Sequence, residues 1–283
     1  MMKSDIIRYG ERNKTNDIFT RSVFMFLIGI VCLTISSGCS SDSNNSELNQ
    51  SKIDMAEINW NLLCEKRIFF GHQSVGNGIL KGIDSLQVNL ADRINIVDTR
   101  SAEEINGPIL AHTKVGRNLC PESKIDDFVK IIENGVGNKV DIVMLKLCYV
   151  DLNTNSNPEA IFSNYKSSIE RLSLQFPGIK VLHWTVPLTE KPRGIKGIVK
   201  SILRMDDNPY RHEYNELIRS TFNPDDIFDI ALIQSTYPDG RRNLYRGEIP
   251  GLVPEYSSDG GHLNDYGKEY VATKLLLKLQ SIQ

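Results

Sequence analysis

Apolar residues along this 283-residue chain recur in two periods. Short, nearly unbroken runs of strand length alternate with longer stretches in which apolar positions return every three or four residues. Lys66 to Phe70, Ile94 to Val97, Asp141 to Leu147, Ile179 to Val186 and Ile227 to Ile233 read as five strands. The third and fourth are almost continuously apolar, as expected of strands covered on both faces of a parallel sheet. Between them, Ser123-Lys124-Ile125-Asp126 resembles a capping arrangement. It opens a helix running to about Asn134, with Phe128, Ile131 and Ile132 on one face. Asn157-Pro158 places a cap residue before a proline at the first helical position, and that helix runs to about Gln175, stopped by Pro177-Gly178. Asn208-Pro209 repeats the signal before Tyr210 to Arg219, and a last helix is expected from about Asn264 to Gln280. No internal repeat is present. This order predicts an α/β fold, a three-layer α/β/α sandwich around a parallel, doubly wound five-stranded sheet. Sites on such sheets form at the carboxyl ends of the strands.

The beginning of the chain breaks the pattern. Lys3, Arg8, Arg12, Lys14 and Arg21 precede an apolar run from Val23 to Ile35. At about 13 residues, that run is short for a bilayer span and suited to the core of a signal peptide. It ends in Ser36-Ser37-Gly38-Cys39, which resembles a bacterial lipoprotein signal with Cys39 as the lipidated residue, although Ser36 stands where Leu is usual. An uncleaved N-terminal anchor is the other reading, and both export the rest of the chain and tether it to a membrane. The expected organisation is a signal peptide over 1–39, a flexible polar tether over 40–58 and one globular domain over 59–283. The expected location is therefore the periplasm or the cell exterior, on a membrane anchor.

Composition narrows the function classes. The chain is 40% apolar and 24% charged with a net charge of -2, an ordinary globular balance without the basic excess of a nucleic-acid binder. Past Cys39 the cysteines are Cys64, Cys120 and Cys148, whose spacing fits no zinc pattern. An exported compartment permits disulfides. A Cys120–Cys148 pair and free thiols both remain open.

Two distant segments carry the chemistry. Near the C-terminus lies Asp259-Gly260-Gly261-His262-Leu263-Asn264-Asp265-Tyr266-Gly267. An Asp three residues before a His, in a turn ahead of a helix, can hold that His as a general base. Far upstream lies Phe69-Phe70-Gly71-His72-Gln73-Ser74-Val75-Gly76-Asn77-Gly78, with a serine just after the first strand. A serine hydroxyl is a weak nucleophile until a base takes its proton, and a carboxylate makes the base effective by fixing its tautomer. Ser74 is the candidate nucleophile, His262 the base and Asp259 the residue that orients it. This chemistry requires no metal and no cofactor.

These segments resemble the SGNH, or GDSL-type, hydrolases. Gly71, Ser74 and Gly78 fit the family's first block, with His72-Gln73 in place of a single Asp. Asp259, His262, Asn264 and Gly267 fit its last block closely, and Asn215 fits a helix common before the last strand. The resemblance implies a flavodoxin-like sheet and an esterase working through an acyl-serine, often on O-acetyl or other acyl groups of carbohydrates. It also implies oxyanion donors from the Ser74 backbone amide, a glycine after the second strand and an Asn after the third. Gly116 is the candidate glycine. The Asn is missing, because Cys148-Tyr149-Val150-Asp151 stands over the family's Gly-x-Asn-Asp, and Asn118 is the candidate replacement. The alternatives are an acyltransferase moving acyl groups to glycans with the same three residues, and a non-catalytic carbohydrate-binding lipoprotein on a degenerate hydrolase fold. The expected partners are a small-molecule or carbohydrate ester and, through the lipid, a membrane, with the protein a monomer.

The remaining candidates read as structural. His72, His112 and His183 are expected to be hydrogen-bonded structural histidines, and Asp151 to support the loop after the third strand. Lys191 to Arg204 is a basic amphipathic insert, expected as a solvated helix.

Overall fold

A computed structural model describes residues 57–192 and 206–282. The leader with Cys39, nearly all of the tether and most of the basic insert lie outside the described residues.

Helix α1 (Trp60–Cys64) precedes β1 (Arg67–His72) and α2 (Ser74–Gln87). Strands β2 (Ile96–Asp98) and β3 (Ile109–Lys114) follow, then α3 (Pro121–Glu133), β4 (Ile142–Leu145), α4 (Pro158–Gln175) and β5 (Lys180–Trp184). The chain continues through α5 (Asn208–Thr221), β6 (Ile227–Phe228), the short α6 (Ile230–Gln234), a small antiparallel hairpin of β7 (Leu244–Tyr245) and β8 (Ile249–Pro250), and α7 (Asp265–Ser281). Strands β1 to β6 form one sheet in the order β2-β3-β1-β4-β5-β6, parallel throughout. The chain winds from β1 to one side, then returns to place β4, β5 and β6 on the other. The crevice between the ends of β1 and β4 is thus the switch point of a doubly wound sheet.

Alternation along β1 divides the core. Phe70 and Ile68 face a layer that includes Ile79, Ile83, Val271 and Leu275 from α2 and α7. Phe69 faces the opposite layer, with Phe128 of α3, Ile169 of α4 and Ile218 of α5. Two glycines set close approaches. A Cβ on Gly82 would stand 2.4 Å from the Lys268 carbonyl oxygen, so α2 and α7 approach backbone to backbone at that point. A Cβ on Gly71 would stand 2.8 Å from the Phe128 ring.

The sandwich has six strands where the sequence pattern predicts five. The additional one, β3, pairs with β1 in the middle of the sheet, yet it reads Ile-Leu-Ala-His-Thr-Lys. His112 and Thr113 mask it as a strand because their polar groups are accommodated inside the fold. The expected strand over Ile227 to Ile233 stops at Phe228. There the Asp229 carboxylate accepts the Leu232 amide at 3.0 Å and caps α6, while Arg219 clamps the same carboxylate with two bonds of 2.7 Å. The expected helices over 123–134, 157–175, 210–219 and 264–280 all form within a few residues of those bounds. Asn157 accepts the Ala160 amide, so that expected cap is made, and Asn264 caps the last helix by accepting the Gly267 amide. The caps expected at Ser123 and Asn208 are not made: α3 opens two residues earlier at Pro121, and Asn208 is itself the first residue of α5.

Candidate active site

Ser74 opens α2 directly after the central strand. The backbone must turn sharply here, and Gly76 lets it do so. A Cβ on Gly76 would sit 2.4 Å from the His72 Cβ. His72 itself is buried, and its Nδ1–H donates to the Gln73 carbonyl at 2.8 Å. That leaves Nε2 to accept from His112 Nδ1–H at 3.1 Å. Burial, assisted by Lys146, pushes His72 down to about 3, so its ring is neutral. The same Gln73 carbonyl accepts the Asn77 amide at 3.1 Å. The peptide group that carries the Ser74 N–H is therefore held from its carbonyl side by two donors. The Gln73 side chain donates to the Val115 and Gly116 carbonyls at 2.8 and 3.1 Å and ties down the loop after β3.

His262 arrives on a turn built by Asp259. One carboxylate oxygen accepts the amides of Gly261 and His262 at 2.9 and 2.7 Å, and the other accepts His262 Nδ1–H at 2.7 Å. These backbone donors, then the imidazole, hold the Asp259 carboxyl down at about 2. Gly260 adopts φ +86, in the left-handed region, to close the turn. Ser257 Oγ donates to the His262 carbonyl at 2.7 Å and accepts the Gly260 amide at 2.9 Å. Gly267, one turn into α7, packs so tightly on Tyr256 that a Cβ would meet its carbonyl oxygen at 2.3 Å.

The two segments meet. The Ser74 hydroxyl donates to His262 Nε2 at 3.2 Å. Ser74, His262 and Asp259 thus form a continuous relay at the switch point, with the serine exposed and the imidazole and carboxylate about half exposed, at 46% and 55%. Such a relay can draw the serine proton onto the imidazole as the hydroxyl attacks a carbonyl carbon. An oxyanion would find the first-turn amides of α2 close by, since a helix start leaves its N–H groups without intrahelical acceptors.

Of the other two oxyanion candidates, the Gly116 amide is engaged elsewhere. The Gly116 N–H donates to the Asp127 carboxylate at 2.9 Å. Its φ of +53 and the Lys124 amide, 2.5 Å from where a Cβ would lie, give this glycine a packing role. Asn118 is exposed, and its Oδ1 accepts from Lys124 Nζ at 2.9 Å. Asp151 supports its loop as expected: wholly buried, it accepts Lys124 Nζ at 2.6 Å, the Cys148 amide at 2.7 Å and the Leu119 amide at 3.0 Å. Cys64, Cys120 and Cys148 are free thiols. His183 is buried, accepting the Tyr165 hydroxyl at 2.9 Å and stacked on Phe222.

Tyr149 is the residue whose place in the site the sequence reading missed. Its hydroxyl lies 3.4 Å from His262 Nε2, and its ring meets the imidazole edge-on at 5.7 Å. Buried Arg211 donates from Nε to the Tyr149 carbonyl at 2.7 Å and from Nη1 to Asn208 and Thr189. An aromatic four residues past the end of a buried central strand was the available signal, since the turn there opens onto the carboxyl edge of the sheet.

A parallel α/β/α sandwich bearing a Ser-His-Asp relay at its switch point defines the class of this protein. No family model and no curated protein matches its sequence. Solved structures of hydrolases, several of them of the SGNH or GDSL type, are similar to it. One is a member of the lipolytic G-D-S-L family from Veillonella parvula, 15% identical over 74% of this chain and 94% of that one, with a TM-score of 0.41. A lipase from a goat rumen metagenome is 13% identical over 74% of this chain and 94% of its own, with a TM-score of 0.42. A family 3 carbohydrate esterase from Talaromyces cellulolyticus is 14% identical over 76% of this chain and 96% of its own, with a TM-score of 0.42.

Proposed function

We propose that this protein is a serine esterase that removes short acyl groups through an acyl-serine intermediate. One observation carries the reading: the unbroken Ser74–His262–Asp259 relay, with bonds of 3.2 and 2.7 Å. Ser74 is the nucleophile, His262 the general base and then the general acid, and Asp259 holds His262 in the tautomer that leaves Nε2 free to accept. The Ser74 amide and its neighbours at the start of α2 receive the oxyanion.

For the substrate we propose O-acetyl or similar esters on carbohydrates, a reading that rests on the resemblance of the Ser74 and His262 segments to the SGNH hydrolases. With Cys39 lipidated, the esterase would face the periplasm or the cell exterior from a membrane anchor.

The test is hydrolysis of p-nitrophenyl acetate by the purified full-length protein, with Ser74→Ala alongside. Turnover lost in the variant is the expected result, and equal turnover overturns the nucleophile assignment. Labelling by a fluorophosphonate probe separates an enzyme from a binding module, because only an activated serine reacts.

A further inference from the structure

Resting on the esterase reading, we infer that Tyr149 is a catalytic residue whose hydroxyl binds the alcohol oxygen of the ester as it leaves. Two hydroxyls converge on one lone pair: Ser74 Oγ stands 3.2 Å from His262 Nε2 and Tyr149 OH stands 3.4 Å from the same atom. Only one can donate fully. Once Ser74 has attacked, Nε2 carries a proton, and that proton must pass to the leaving oxygen. The leaving oxygen must then stand within hydrogen-bond reach of Nε2. Tyr149 already borders that place.

In acylation, Ser74 Oγ bonds to the carbonyl carbon, the carbon–alkoxy bond breaks, and the serine proton travels through Nε2 to the departing oxygen. In deacylation, water takes the alcohol's place, its oxygen bonds to carbon, the carbon–Oγ bond breaks, and its proton returns through Nε2 to Ser74. Tyr149 keeps its own proton in both steps and contributes a hydrogen bond to the oxygen that gains charge.

The surroundings prepare the phenol for this role. The Arg211 bond to its carbonyl fixes the backbone at 2.7 Å, and the imidazole edge fixes the ring. A Cβ on residue 261 would lie 3.0 Å from the phenol Cζ, so Gly261 makes room for the ring. Burial raises the phenol above its ordinary range and keeps it a donor. Val150, the next residue, has no polar atom on its side chain to serve instead.

The experiment compares the full-length protein with Tyr149→Phe on two acetate esters. The p-nitrophenyl group leaves as an anion without a proton, whereas an ethyl group needs one. The expected kcat/KM falls about 10- to 100-fold for ethyl acetate and stays within about twofold for p-nitrophenyl acetate, the loss of one hydrogen bond to a charged oxygen. Equal loss on both esters overturns the inference, because it marks Tyr149 as a support for His262 or for the site at large. No loss on either also overturns it. A far-UV circular dichroism spectrum and thermal melt matching wild type show that the variant is folded, whichever way the two rates move. If the wild-type protein hydrolyses neither ester, the esterase reading fails and this inference falls with it.

Discussion

Lys124 and Asp151 form an ion pair of 2.6 Å in which neither side chain is exposed to solvent. The pair joins α3 to the turn after β4, and Asp151 also receives the Cys148 and Leu119 amides. Removing one partner of such a pair leaves a buried charge, at a cost of about 3–5 kcal/mol. Lys124→Met should destabilise by that amount in denaturant unfolding. The double variant Lys124→Met/Asp151→Asn should recover part of the loss, since it leaves no uncompensated charge.

Asp259→Asn should remove activity while sparing the fold. An Asn oxygen can still accept the Gly261 and His262 amides, but its NH2 group faces Nδ1 and imposes the wrong tautomer. In the Ser-His-Asp template this change costs about 10⁴-fold in kcat. A comparable fall is expected here, with the unfolding midpoint close to wild type because the side chain is half exposed. A variant within tenfold of wild type sinks the role of Asp259 as the orienting carboxylate.

Two glycines on α2 should respond oppositely to alanine. Gly82→Ala drives a methyl group to 2.4 Å from the Lys268 carbonyl and should cost about 1–3 kcal/mol as α7 is displaced. At Gly78 the nearest atom is Lys268 Cγ at 3.7 Å, an ordinary contact. Gly78→Ala should therefore be neutral or stabilise by about 0.5–1 kcal/mol through helix propensity. Thermal melts of the two variants decide this.

Acidification should weaken the fold before any carboxylate matters. Burial holds His72 at about 3 and His183 at about 4, both below the ordinary histidine value of 6.5. Between those values the unfolded chain binds protons that the folded chain refuses. Stability is fully present above about pH 6.5 and falls as the pH drops towards 3–4, by up to about 1.4 kcal/mol per pH unit for each histidine. Asp259, held at about 2 and largely solvated, loses its stabilising contribution only below the ordinary carboxylate range. Urea midpoints measured from pH 7 to 4.5 should fall steadily. His183→Phe should flatten the slope, and an unchanged slope contradicts the assignment.

The helix caps and the turn that holds the base were legible because their signals are local, and the pairing of Ser74 with His262 was legible only through the resemblance of their two segments to one family. Asn157-Pro158 and Asn264 cap helices through bonds to amides three residues on, and the Asp259-to-His262 turn closes on itself. What was hidden depends on distant partners. β3 carries His112 inside the sheet because His72 of β1 offers it an acceptor. Ile230 lies in a helix because Arg219 fixes the Asp229 cap. Gly116 has the right place in the chain for an oxyanion donor, but Asp127, eleven residues later, takes its amide. Tyr149 reaches His262 across 113 residues, a contact that no periodicity announces.

The separation of 188 residues between Ser74 and His262 has a consequence for biosynthesis. A chain grows from its N-terminus, so the serine is made long before its base. At roughly 5–20 residues per second, the wait is on the order of 10–40 s. Through that interval the nascent polypeptide holds Ser74 without its base. On the esterase reading, the nucleophile is activated only once the His262 turn packs beside the start of α2.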